Sequence, residues 1–283
     1  MTSADIVTLP SIALLGAGSM GRAILSGLLK PGVEVNGPVH VTNRTDARAA
    51  EFDGVAGVRA HSLESNPAAN RDAVAQAGIV IVAVKPGMVP DLLDEIASSL
   101  VPGAIVVSVA AGVRAATFEA HLPITVSVIR TMPNTPAVVG KAVTGLAPGS
   151  RASASEVAVV RSLFETVGTV VEVTEDGLDA LGTISGSGPA YVFLLIEALT
   201  QAAIGKGFSP EQAAELANGT FVGATALLEA SGKTPEELRI QVTSPKGTTE
   251  RALAVLQDAD LPALFASATD AALARTRELA AGA

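Results

Sequence analysis

The segment Gly16-Ala17-Gly18-Ser19-Met20-Gly21 limits what this chain can fold into more than any other stretch. It follows the apolar run Ile12–Leu15 directly and leads into Arg22–Leu29, which suits a helix. In a strand-turn-helix setting, the first glycine makes a tight turn. The second lets backbone N–H groups approach a pyrophosphate, and the third allows close packing of helix on strand. The helix N-terminus adds partial positive charge facing the anion. The run predicts a dinucleotide loop built from Gly16, Gly18, Ser19, Met20 and Gly21, against the alternative of an ordinary glycine-rich turn. Met20 fits core filling equally well.

The rest of the first half agrees with that loop. Val39–Thr42, Ile79–Val84, Ile105–Val109 and Val126–Ile129 are short, rich in Val and Ile and nearly all apolar. Such runs read as strands buried on both faces, and several are separated by enough residues for a crossover helix. The pattern is that of a Rossmann-type α/β fold, a doubly wound parallel sheet. With 3% aromatic residues and no Trp, its core must be built from small aliphatic side chains.

After about Val173 helix-start signals replace the strand-like runs. Ser209-Pro210-Glu211-Gln212 and Thr234-Pro235-Glu236-Glu237 combine a cap, a proline at the first helical position and a capping-box residue. Ser244-Pro245 and Asp260-Leu261-Pro262 are read as two further helix starts. The domains predicted are 1–168, dinucleotide-binding, and 169–283, all-helical. The apolar stretch Tyr191–Leu199 suggests a helix buried on most sides, consistent with a subunit interface.

Composition removes several functions. With no cysteines, disulfides and thiolate chemistry are excluded, and His40, His61 and His121 lie at unrelated spacings, so no metal site is expected. The net charge of −9 argues against nucleic-acid and anionic-membrane partners. Met1–Pro10 lacks the form of a signal peptide, and Tyr191–Ile204, interrupted by Glu197 and Gln201, is short for a membrane span. A soluble, cytoplasmic protein is expected.

The end of the second apolar run narrows the cofactor. NAD enzymes place an acidic residue there, about 20 residues past the loop, for the ribose 2′-hydroxyl. This chain has Asn43 and Arg44, which suit a 2′-phosphate and favour NADPH, although Asp46 lies close by and Arg44 equally fits a solvated loop. Ala83-Val84-Lys85-Pro86 and Ala110-Ala111-Gly112 close two more strands at the edge where ligands bind in open α/β sheets. In the helical half, Ser244-Pro245-Lys246-Gly247-Thr248-Thr249 reads as a helix start left open by Gly247. Such a start receives a carboxylate, or is simply a capped helix end. Ser185-Gly186-Ser187-Gly188-Pro189-Ala190-Tyr191 reads as a tight helix–helix connection or a close-approach surface.

Taken in order over nearly the whole chain, these blocks, with Arg130-Thr131-Met132-Pro133-Asn134-Thr135-Pro136, resemble the pyrroline-5-carboxylate reductase family. The Ser185–Tyr191 and Thr243–Thr249 blocks are far more specific than the glycine loop. The resemblance implies NADPH-dependent reduction of 1-pyrroline-5-carboxylate to L-proline, with NADH as an alternative reductant. It implies a substrate site of Glu175, Ser244, Gly247, Thr248 and Thr249, with Thr249 the catalytic candidate, hydrogen-bonded to the ring nitrogen. It places Asn70, Lys85, Ala111 and Asn134 in the cofactor site. It also implies an active site composed at a homodimer interface, with dimers assembling further into rings such as a decamer. Lys246 stands where the family usually has the first glycine of a pair, and Gln241 where it often has Asn. The competing functions are a 3-hydroxy-acid dehydrogenase of the 6-phosphogluconate type and a non-catalytic dinucleotide-binding regulator. The former needs an interior lysine base, and Lys206, flanked by Gly205 and Gly207, is a poor one.

Overall fold

The five apolar runs all form strands. The structure, a computed structural model, describes residues 6–280. Its first half runs β1 (Val7–Leu9), β2 (Ile12–Leu15), α1 (Ser19–Leu28), β3 (Val33–Val35), β4 (Val39–Asn43), α2 (Asp46–Ala50), β5 (Val58–Ser62), α3 (Ala69–Val74) and β6 (Ile79–Val82). There follow α4 (Val89–Ile96), β7 (Ile105–Ser108), α5 (Ala115–His121), β8 (Ser127–Met132), β9 (Ala142–Pro148), α6 (Ala154–Glu165) and β10 (Gly168–Glu172). The rest is helical: α7 (Glu175–Leu181), α8 (Gly188–Ile204), α9 (Pro210–Ser231), α10 (Pro235–Gln241), α11 (Thr248–Asp258) and α12 (Leu261–Ala280).

The main sheet has the order β10-β9-β8-β7-β6-β2-β4-β5. From β5 to β8 all neighbours are parallel, and β9 turns antiparallel to β8. The strand order reverses between β2 and β6, which opens a crevice at their carboxyl ends. Every residue of β2 and β6 is buried, because alternate side chains feed two separate cores. Ile12, Leu14, Ile79 and Ile81 pack with Ile24 and Leu28 of α1 and with Leu163 and Phe164 of α6. Ala13, Leu15, Val80 and Val82 pack with Leu93 of α4 and Phe118 of α5 on the other face.

The sheet extends further than the apolar runs indicate. β10 pairs with β9 from Gly168 to Glu172, so the expected division at 168/169 falls on the first residue of a sheet strand. The chain separates instead into one compact unit up to Ser187, joined by residues from Leu273 onward, and a second of Gly188–Ala272. In that second unit only Ala213 and Ala217 are buried. Phe193, Leu194 and Val222 are 60%, 64% and 68% exposed, so the single chain leaves this unit without a core.

The helix starts divide into three that match and one that does not. Ser209 and Thr234 each make the full capping box with prolines at the helix start, and Asp260 accepts the Ala263 N–H at the opening of α12. Ser244-Pro245 does not open a helix. Gly247 N–H donates to Ser244 O at 3.0 Å, and Lys246 adopts φ 61°. With φ of Pro245 fixed by its ring, this is a type II turn, and α11 begins after it.

Candidate active site

The glycine loop takes the shape its spacing requires. Gly16 has φ +92°, and a Cβ there would stand 3.0 Å from Ala83 O and Val84 Cγ1. A Cβ on Gly21 would lie 2.7 Å from Gly16 O. Gly18, the N-cap of α1, has nothing within 4 Å of its Cβ direction and no side chain caps the helix. The first α1 amides are therefore left to an external acceptor.

Beside the loop lies a cleft of about 320 Å³ lined by Gly16, Asn43, Arg44, Asn70, Val84 and Glu95, among others. It opens where β2, β4 and β6 end, at the strand-order reversal. Asn43 is buried, and its Nδ2 has no hydrogen-bond partner. Arg44 is exposed and forms no ion pair among the described residues. Asp46, exposed nearby, has its carboxyl held below the usual range by side-chain hydrogen bonds with Ser62 and Ser65. An orphaned amide, a free guanidinium and an uncapped helix fit a dinucleotide carrying a 2′-phosphate. Asn70 is buried and donates to Glu95 Oε2 at 3.1 Å, while Glu95 Oε1 is left unpartnered.

The other candidates from the sequence lie along the same sheet edge. Ala83 and Val84 are half-buried and Lys85 and Pro86 exposed just beyond β6; Ala111 is exposed beyond β7. Asn134, beyond β8, has a structural engagement that the sequence does not reveal. Its Oδ1 accepts the Val143 N–H, and its Nδ2 donates to Ser185 O, both at 2.9 Å. Ser185 belongs to a π-helical turn, Gly182–Gly186, in the continuous helical run Glu175–Ile204. The expected helix–helix connection is thus a π-turn, held to the sheet by Asn134. The Cβ directions of Gly182 and Gly186 both face Met132 Cε, at 3.6 and 3.5 Å, an ordinary packing distance.

Sequence reasoning missed Arg22. Its Nε donates to Ala17 O inside the glycine loop at 3.2 Å, its Nη1 pairs with Glu51, and its guanidinium lies 5.0 Å from the Phe52 ring centroid. Arg22 thus ties the loop to the end of α2. A hydrogen bond from a charged donor contributes about 1.5 kcal/mol, equivalent to roughly tenfold in affinity. Arg22→Met should raise the KM for the cofactor by about that factor and leave kcat nearly unchanged. Steady-state titration of the cofactor checks this, and an unaltered KM would remove Arg22 from support of the loop.

The second site is the turn before α11. Gly247 is the N-cap, with no side-chain cap hydrogen bond, and a Cβ on it would meet Ser244 Oγ at 2.5 Å. Glu250 Oε2 accepts the Lys246 N–H at 2.8 Å, and Thr243 Oγ1 donates to Arg239 O. Thr249 is half-buried and Thr248 exposed, and neither hydroxyl has a partner among the described residues. The turn therefore leaves the amides of Thr248 and Thr249 and both hydroxyls for a ligand. Ser244 is exposed on the turn, and the Lys246 side chain is exposed beside it. Lys206 lies exposed in the turn after α8, not inside a helix.

Glu175, expected from the sequence at the edge of a substrate pocket, is engaged within its own unit. Its Oε1 takes the Ala115 N–H at 2.6 Å and Arg130 Nη1 at 3.0 Å, and its Oε2 lies 3.7 Å from Arg114. Arg130, nearly fully buried, also reaches Asp179 at 3.2 Å. The network joins α7 to β8 and to the start of α5.

Residues 11–112 match the family described as "NADP oxidoreductase coenzyme F420-dependent", and residues 175–279 that described as "Pyrroline-5-carboxylate reductase dimerisation". A pyrroline-5-carboxylate reductase of Corynebacterium melassecola is 36% identical over 272 residues, covering 95% of this chain and 98% of that one. The solved structure of a pyrroline-5-carboxylate reductase from Coxiella burnetii matches with a TM-score of 0.86 at 33% identity, over 95% of this chain and 98% of that one. Plasmodium falciparum pyrroline carboxylate reductase, solved with NADP bound, shares the fold with a TM-score of 0.77 at 22% identity, over 95% and 98% of the two chains. Similarity at this level, running through both the dinucleotide cleft and the turn before α11, means that the chain belongs to the pyrroline-5-carboxylate reductase family.

Proposed function

We propose that the protein reduces the C=N bond of 1-pyrroline-5-carboxylate to give L-proline, with NADPH as the preferred reductant and NADH as a substitute. The observation that carries this reading is the family match over both halves of one chain. The preference for NADPH rests on the unpartnered Asn43 amide and the free Arg44 at the end of β4.

NADPH supplies the hydride that the imine carbon receives; a proton on the ring nitrogen completes the reduction. The chain's own task is to hold and orient the reactants. The Thr248 and Thr249 amides at the bare start of α11 receive the substrate carboxylate, with Ser244 and Gly247 shaping the turn. The Thr249 hydroxyl hydrogen-bonds the ring nitrogen and orients the C=N bond. Asn70, Ala83, Val84, Lys85, Pro86 and Ala111 flank the cofactor along the sheet edge. Asn134 serves the same site indirectly, by fixing the π-turn.

The working form is a homodimer, with assembly into a decameric ring as the higher state. The run Glu175–Ile204 is long and apolar enough to cross a membrane, which Tyr191–Ile204 by itself is not. We read its exposed apolar residues as a subunit interface, because the dimerisation match spans it and Glu197 and Gln201 interrupt it. The protein then acts in the cytoplasm.

Thr249→Ala should lower kcat by about 100-fold, the lower end for loss of a positioned acid–base group, with cofactor affinity unchanged. Thr249→Ser should recover most of the activity. Steady-state kinetics on the three proteins test the assignment, and wild-type turnover in Thr249→Ala would refute it.

A further inference from the structure

The opposite edge of the same sheet holds a second cleft, of about 410 Å³, where β2, β4 and β5 begin. His40 of β4 and Arg59 of β5 are register partners and both line it. His61, two residues beyond Arg59, shares their face of the sheet. Its ring stacks on that of His40 with centroids 5.2 Å apart and planes 5° from parallel, and His40 Nδ1 lies 3.1 Å from His61 Nε2. An arginine and a histidine thus line one concavity, with His61 stacked behind the histidine, in a protein of net charge −9. Arg59 forms no ion pair among the described residues. Asn36 and Gln76 line the same cleft. Asp72 of α3 is its one carboxylate, and Asn66 Nδ2 donates to it at 2.8 Å.

An unpaired guanidinium and a protonatable imidazole side by side in a concave site, with Asn36 and Gln76 in its lining, form a receptor for an anion. We propose that this cleft binds the oxyanion head group of a small carboxylate or phosphate compound, with Arg59 and His40 as its cationic ligands. The guanidinium takes two oxygens side by side, and the imidazole donates to the same group. Nothing in the dinucleotide cleft or the α11 turn contributes to it. Burial, with His61 and Arg59 nearby, holds the His40 imidazole below its ordinary pKa, so near neutrality it is mainly uncharged. A bound anion offsets the repulsion that His61 and Arg59 exert on a protonated His40. Binding therefore draws a proton from solution.

The test is calorimetric titration of the full-length protein with inorganic phosphate and, separately, with succinate, each in two buffers of different ionisation enthalpy. At least one probe should bind with proton uptake, and whichever binds more tightly identifies the head group as phosphate or carboxylate. Arg59→Gln should weaken that binding at least tenfold without changing the thermal midpoint, since Arg59 is exposed, and Arg44→Ala should leave it as in the wild type. The proposal is overturned if neither probe binds, or if binding survives Arg59→Gln. Binding lost only in Arg44→Ala also overturns it, since the anion then sits at the dinucleotide cleft.

Discussion

Arg130→Ala should destabilise the protein by about 3 kcal/mol or more, because it strips the partner from two carboxylates in a water-poor site. The Arg130 side chain is 4% exposed and holds Glu175 at 3.0 Å and Asp179 at 3.2 Å, themselves only 24% and 17% exposed. Without it, Glu175 retains the Ala115 amide and a longer contact to Arg114, while Asp179 loses its partner. Arg114 does not compensate, since it is half-exposed and already bonded to Asp176, whose carboxyl it holds below the usual range. The loss falls where α7 docks on β8, next to the π-turn that Asn134 anchors. Arg130→Met should cost less than Arg130→Ala only if both carboxylates are neutralised along with it. The informative control is therefore the triple variant that combines Arg130→Met with Glu175→Gln and Asp179→Asn. Denaturant unfolding measures all three proteins. A loss below about 1 kcal/mol for Arg130→Ala would mean that water already screens the cluster.

The second large effect concerns assembly. Phe193→Asp should convert the protein to monomers in sedimentation and abolish cooperative melting of the Gly188–Ala272 unit. That unit buries only two alanines in a single chain, yet leaves Phe193, Leu194, Leu195, Leu199 and Phe265 among its exposed apolar side chains. Each such side chain contributes about 1.5–3 kcal/mol when buried, so in the proposed dimer a partner copy supplies the core that one chain lacks. A carboxylate placed on that surface costs on the order of 3 kcal/mol per interface, or about 100-fold in dimer affinity. Unchanged assembly of Phe193→Asp would place the interface on another face of the helices.

The parallel sheet was legible because its strands are continuous apolar runs. Ile12–Leu15 and Ile79–Val82 are buried on both faces, and apolar runs this short, the second wholly β-branched, fit a doubly covered strand better than a helix. The outer strands were not, for the corresponding reason. β5 carries Arg59 and His61, β9 contains Gly145 and ends at Pro148, and β10 has only Val170 buried. The edge strands β5 and β10 keep one face partly in water, and β9, though mostly buried, is built mostly of small residues, so their patterns merge with that of loops. With β10 hidden in this way, the division expected at 168/169 falls on the first residue of that strand.

At the site, the glycine loop could be read residue by residue, since each glycine answers a local steric demand. The turn at Ser244–Gly247 was read as a helix start because proline after serine fits both structures. The positive φ of Lys246, which decides between them, has no mark in a residue that is neither glycine nor asparagine. The partners of Glu175, Asn134 and Arg22 depend on contacts between segments far apart in sequence, or on a backbone oxygen, and no spacing rule encodes these.

The most direct test of the functional account is NADPH oxidation by the purified protein, followed by absorbance, on addition of 1-pyrroline-5-carboxylate, with the product identified. The account predicts rapid oxidation that yields one proline per NADPH consumed, faster with NADPH than with NADH. Cofactor binding with no turnover of the imine would contradict it, and with it every role given to the turn before α11.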